Sequence, residues 1–174
     1  LYELEGLTGV RWEKVRTPFG DPSDAYCTGR FGGRRVIFLP RHGRGHRLTP
    51  SELNYRANIY GMKKLGAQTL VSISAVGSMK EDIHPLELVV PDQFYDHTKR
   101  RVTSFFGDGI VAHVGMAEPV CGQLATALDP ATKELIGGDG DVLAEIYRQR
   151  VTTRGKGSEV WGWGTAYGSR QGGE

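Results

Sequence analysis

Between residues 10 and 73, short apolar runs alternate with turn residues, and one segment in the middle keeps a helical period instead. A chain with this order folds as strands joined by a crossover helix. Residues 10–15, 25–30 and 34–39 are predicted strands, parted by Thr17-Pro18-Phe19-Gly20-Asp21-Pro22-Ser23 and by Phe31-Gly32-Gly33. Thr49-Pro50-Ser51-Glu52 has the form of a capping box with proline at the first helical position. Leu53, Ala57 and Tyr60 then share one face of a helix expected to end at Gly66. Residues 69–73 follow as a short buried strand. Strand, helix and strand in this order predict an α/β sheet with parallel neighbours, and ligands of such sheets gather at the carboxyl ends of strands.

That rule points to residues 39–58, where Arg41, His42, Arg44, His46 and Arg47 come straight after the apolar run Val36-Ile37-Phe38-Leu39. Ser74-Ala75-Val76-Gly77-Ser78 follows the predicted strand 69–73 in the same way. Brought together, the two loops make an anion pocket. Arg41 offers a planar fork of donors matched to phosphate oxygens, His42 adds a donor, and Ser74 adds a hydroxyl. The rival reading is a solvated basic loop, and position after a strand favours the site. The four-residue spacing of His42 and His46 matches a helical zinc pair, but Gly43 and Gly45 lie within it and no acidic third ligand stands near, so no metal is expected. Arg-His-Gly after a strand also fits histidine phosphatases. Their second arginine is replaced here by Gly45, and the later histidines read His84-Pro85, His97-Thr98 and His113-Val114 where those enzymes use a His-Asp or His-Glu type site.

Composition limits the partners. Lys plus Arg number 22 and Asp plus Glu 20, a formal charge of +2, which disfavours generic binding to nucleic acid or to an acidic membrane surface. No apolar stretch reaches the length of a membrane span, and no charged-then-apolar leader is expected. Cys27 and Cys121 lie far apart without metal-ligand spacing and are expected as free thiols in a cytoplasmic protein. The 174 residues suit one domain. Residues 151–174 include seven glycines and no helical or strand period, so residues 141–174, with Trp161 and Trp163, are expected to form an unassigned tail.

The strings TPFGDPSDAY, FLPRHGRGHRLTPSELNYRANI, SISAVGSMKEDIHPLELVVPDQFYDHT, SFFGDG and HVGMAEPVC resemble, in order, the purine nucleoside phosphorylase family, in particular its methylthioadenosine phosphorylase branch. The resemblance implies a partial phosphorylase/hydrolase-like α/β fold, a mixed central sheet with flanking helices, over residues 1–140. It implies cleavage of the glycosidic bond of a purine nucleoside by orthophosphate, a co-substrate, with no cofactor. S-methyl-5'-thioadenosine would be the preferred nucleoside, and the products adenine and 5-methylthioribose 1-phosphate. By the same resemblance Arg41, His42, Ser74 and Ala75 hold phosphate, Val76 and Gly77 wall the base, and His113 reaches the 5′-substituent of a neighbouring subunit's ligand in a homotrimer.

The family's first strand and glycine-rich phosphate loop are expected before Leu1, and its later motifs find no counterpart in 141–174. No residue is therefore assigned as the acid that protonates the leaving purine. The chain is expected to be an incomplete, poorly active fragment. The alternatives are a general purine nucleoside phosphorylase acting on inosine, guanosine or adenosine, and a non-catalytic partial domain that binds phosphate. A basic RNA-binding module ranks below both.

Overall fold

The computed structural model describes residues 4–84 and 87–128. They divide into two compact units, the first running to Leu70 and including Arg100–Val111, the second taking Val71–Lys99 and the chain from Ala112 onward. The stretch 141–174, with both tail tryptophans, lies outside the described residues.

The first unit is built on strands β1 (Thr8–Glu13), β2 (Tyr26–Phe31) and β3 (Arg34–Phe38), followed by helix α1 (Tyr55–Lys64). Each strand lies within two residues of its predicted position. The three form one antiparallel sheet in the order β1-β2-β3. Gly32 and Gly33, with φ of 55° and 75°, supply the left-handed turn that brings β3 back along β2, placing Phe31 opposite Arg34. Between β1 and β2 the register slips by a bulge after Thr8.

Tyr26 and Cys27 on β2 are wholly buried, with Leu53 and Ala57 beside them in the apolar core. The contact between sheet and helix centres on Gly61. A Cβ there would overlap the Tyr26 hydroxyl, so only glycine admits the ring. That hydroxyl faces the carbonyl oxygens of Ala57 (3.2 Å) and Asn58 (3.0 Å), and burial pushes its pKa up to about 12. Asn58 is itself buried. Its Oδ1 accepts the Ser23 N–H at 2.8 Å while its Nδ2 donates to Ser23 Oγ at 2.9 Å, which pins the 17–25 turn to the helix.

The start of the helix differs from expectation. Thr49 and Glu52 do pair, though not reciprocally through their side chains: Thr49 N and Oγ1 both donate to Glu52 Oε2 at 2.8 and 2.7 Å, and the Glu52 N–H donates to the Thr49 carbonyl at 3.0 Å. The pair closes a separate turn ahead of the helix, and the cap is Asn54, whose Oδ1 accepts from Ala57 N at 3.1 Å. Asn54 Nδ2 meanwhile donates to the Phe19 carbonyl at 2.6 Å, a tertiary bond that ties the cap to the turn after β1. The far end is as expected. Gly66, at φ 90°, bonds to Lys63, and Ala67 bonds to Met62, the paired closure that a left-handed residue permits.

Residues 69–73 do not form the predicted strand, and among the described residues the sheet of the first unit has no parallel neighbour. A run of apolar side chains becomes a strand only when another strand takes up its N–H and C=O groups. Leu70 and Val71 stand 42% and 44% exposed.

In the second unit, Leu88, Val89 and Val90 are buried, and Gln93 Nε2 donates to the carbonyls of Met116 (3.2 Å) and Ala117 (3.1 Å), tying the 87–95 segment to the chain after Val114. Residues 122–128 are helical.

Candidate anion site

The loop after β3 takes a tight path that its glycines make possible. Gly43 and Gly45 adopt φ of 73° and 78°, and His46 follows at 55°. Gly43 N donates to Pro40 O at 2.7 Å, His46 N to Gly43 O at 3.0 Å, and Leu48 N to His42 O at 3.0 Å. A Cβ on Gly43 would press on the Arg47 guanidinium, so this glycine provides room as well as φ.

The five basic residues that the sequence places here divide by task. Arg44 and Arg47 belong to the scaffold. Arg44 grips Asp24 through its backbone N–H (2.7 Å), Nε (3.3 Å) and Nη2 (3.0 Å), and its guanidinium lies 4.2 Å from the Trp12 ring centroid. Arg47 Nη2 donates to the Ser23 carbonyl at 2.7 Å and stands 4.0 Å from Asp24. Burial works to raise the Asp24 carboxyl, but the Arg44 side-chain and backbone hydrogen bonds and the Ala25 N–H outweigh it and bring the pKa down to about 2. One carboxylate thereby serves two of the loop's three arginines.

Arg41 and His42 form the other part. Both are half-buried, and burial presses both pKa values down. Arg41 Nε donates to His42 Nε2 at 3.3 Å, His42 Nδ1 meets the Leu48 carbonyl at 2.8 Å, and the His46 ring stacks on His42 with centroids 4.7 Å apart and planes within 7°. The pair is a desolvated guanidinium with its neighbour's ring set against it. Such a group gains strongly from an anion, because charge-assisted hydrogen bonds strengthen where water is withdrawn.

The remaining predicted residues belong to the second unit. Ser74 and Val76 are half-buried, and Ala75, Gly77 and His113 are exposed, all on chain without helix or strand structure. Sequence reasoning missed Asp24, Leu48 and the ring of Trp12 as partners of the basic loop. The turn composition of Asp21-Pro22-Ser23-Asp24 gave the only cue, an acid next to a predicted strand and across a hairpin from five basic groups.

A sequence model of the Phosphorylase superfamily matches residues 2–153, and the chain belongs to that superfamily. The similar proteins narrow the comparison to one kind of phosphorylase. The S-methyl-5'-thioadenosine phosphorylase of Geobacter sulfurreducens is 58% identical over 135 residues, 77% of this chain and 47% of the relative. That of Koribacter versatilis is 49% identical over 166 residues, 94% of this chain and 57% of the relative. Among solved structures, a methylthioadenosine phosphorylase from an antarctic soil metagenomic library is 52% identical with a TM-score of 0.77, covering 80% of this chain and 48% of that one. Methylthioadenosine phosphorylase from Schistosoma mansoni in complex with adenine is 40% identical with a TM-score of 0.70, covering 76% and 49%. The chain spans about half the length of the relatives it matches. The predicted fold class, a partial phosphorylase-like α/β fold, agrees with these neighbours.

Proposed function

We propose that the protein to which this chain corresponds cleaves S-methyl-5'-thioadenosine with orthophosphate, giving adenine and 5-methylthioribose 1-phosphate. The observation that carries the reading is the identity, up to 58%, with S-methyl-5'-thioadenosine phosphorylases. The half-buried Arg41–His42 pair at the end of β3 supports it.

In this reading Arg41 and His42, with the Ser74 hydroxyl and the Ala75 backbone, hold phosphate below the sugar, and Val76 and Gly77 lie against the base. Phosphate held there is positioned to attack the anomeric carbon as the bond to the base stretches and positive charge grows on the sugar ring. Its own negative charge stabilises that cation. The C–N bond breaks as the C–O bond forms, and the purine leaves with a proton, overall the one that hydrogen phosphate gives up on becoming the sugar phosphate ester. The reaction needs orthophosphate and no cofactor. His113 reaches the 5′-substituent across a subunit boundary, and the exposed Phe105 and Phe106 contribute to the contact between subunits of a homotrimer. Purine salvage in the cytoplasm fits a near-neutral surface and two cysteines that are both free. No helix among the described residues is long and apolar enough to cross a membrane. Residues 1–140 would then be the N-terminal part of one phosphorylase domain, and 141–174 remain without an assigned role.

The test is adenine release from S-methyl-5'-thioadenosine with and without phosphate, by this chain and by a full-length protein carrying it. Phosphate-dependent release by the longer protein supports the reading. A preference for inosine or guanosine would replace it with a general purine nucleoside phosphorylase, and phosphate binding without turnover by either protein would leave a non-catalytic binding domain.

A further inference from the structure

The hydrogen bonds around His42 fix its tautomer. The Leu48 carbonyl oxygen only accepts, so Nδ1, 2.8 Å away, carries the hydrogen. A neutral ring then leaves Nε2 as an acceptor, and Arg41 Nε, which only donates, stands 3.3 Å from it. Backbone, imidazole and guanidinium form one directed chain. The ring of His46, a residue with φ of 55°, lies flat on His42 at 4.7 Å.

We propose that His42 is a positioning residue of the anion site: in its neutral, Nδ1-protonated form it holds the Arg41 Nε–H and so aims the guanidinium, and His46 stacked upon it keeps it in that form. His42 on this account serves the anion through Arg41, in place of the direct hold by its ring that the family resemblance implies, and does not act as a second cation. The proposal rests on the reading of Arg41 as the phosphate anchor.

Protonating His42 would turn Nε2 from acceptor into donor and set two cations side by side. Burial works hardest against that protonation. The Leu48 hydrogen bond opposes burial, while Arg41 and His46 reinforce it. From α1 the titratable group is Tyr55, which acts on Arg41. Arg41 is therefore held while the ring is neutral and released as acid charges it.

Inorganic sulfate is a suitable probe because its charge stays constant between about pH 5 and 8, where histidines titrate, whereas phosphate changes its own. Sulfate affinity of the chain should fall by about tenfold, the worth of one charge-assisted bond, as the pH drops through that range. A His42 that bound the anion as a cation would give the opposite slope. His42→Gln returns an acceptor oxygen near the place of Nε2 and cannot titrate, so it should keep most of the affinity and flatten the profile. His42→Asn reaches only as far as Nδ1 and should lose about tenfold at neutral pH. His46→Ala should move the midpoint to higher pH.

Nitrogen-15 shifts of the His42 ring read the tautomer with no anion present, and the Nδ1–H form is expected. Affinity that rises in acid, a glutamine variant no better than the asparagine one, or an Nε2–H tautomer would each overturn the positioning role. The anchor reading fails separately, and takes the proposal with it, if the chain binds neither sulfate nor phosphate at millimolar concentration or if Arg41→Ala leaves sulfate affinity unchanged.

Discussion

The loop after β3 and the segment 71–78 are the two places where the sequence set candidate phosphate ligands, and they are secured in different ways. The loop is fastened to its own unit by long-range bonds: Arg44 to Asp24, Arg47 to Ser23, and, from the helix that follows, Asn58 to Ser23 and Asn54 to Phe19. At the end of the 71–78 segment the Ser78 hydroxyl bonds two residues away, accepting from Lys80 N and donating to Lys80 O, and Val71 at its start is 44% exposed. The difference teaches that the arginine-bearing loop is anchored by neighbouring charges and amides reaching across its own unit, whereas the bonds of Ser78 stay within one turn of chain.

The largest test of that contrast is affinity. Arg41→Ala removes a fork of up to two charge-assisted bonds and should weaken phosphate binding by about 10²–10⁴-fold. Ser74→Ala removes one hydroxyl and should cost about tenfold or less. Isothermal titration with phosphate on both variants measures the ratio. Equal losses would mean that the two segments contribute alike, and the contrast would lapse.

Next in size is the joint between sheet and helix that carries the loop. Gly61→Ala drives a methyl group into the Tyr26 hydroxyl and should cost about 1–3 kcal/mol, read as a lower urea midpoint at unchanged slope. Gly77→Ala in the other segment meets nothing within 4 Å and should change the midpoint little. A Gly61→Ala midpoint equal to that of the parent would show that the helix slides freely on the sheet.

Acid should reveal the scaffold of the loop. The folded-state pKa of Asp24 is depressed to about 2, so its ion pair contributes fully above the ordinary carboxylate value of about 4, and the contribution fades as the pH falls toward the folded value. Asp24→Asn should cost about 1–2 kcal/mol at neutral pH and should lose less stability than the parent between about pH 5 and 2. Parallel acid slopes for the two proteins would mean that Arg44 and Arg47 hold the loop without Asp24.

Legibility followed how local each determinant is. The hairpin of β2 and β3 was readable because Gly32-Gly33 dictates the turn and the alternation sets the strands. The helix was readable from its period and Gly66. Its true cap was not, since Thr49–Glu52 matches a capping box in sequence within four residues, while Asn54 owes its role partly to Phe19, 35 positions earlier. The failed strand at 69–73 has the same cause in a stronger form, since pairing is a property of two segments and the sequence displays one. Within the site, Arg41 and His42 stood out by their place after a strand. The division of labour among the five basic residues was hidden because Asp24 lies 20 positions from Arg44.

The smallest effect bears on the contrast most directly. Asn54 and Ser78 each accept a hydrogen bond from a nearby backbone N–H, Asn54 from Ala57 and Ser78 from Lys80. Local chemistry alone would rank the two residues as equals. Asn54 also caps a helix and reaches Phe19 with its amide, so Asn54→Ala removes a cap worth about 1 kcal/mol and leaves the Phe19 carbonyl without that donor. Ser78 is exposed and its bonds stay within one turn, so Ser78→Ala should fall within about 0.5 kcal/mol of the parent. Urea midpoints of the two variants, taken in one buffer at one pH, give the comparison. A Ser78→Ala loss as large as that of Asn54→Ala would show that the 71–78 segment is held as firmly as the loop, and the contrast drawn between them would be wrong.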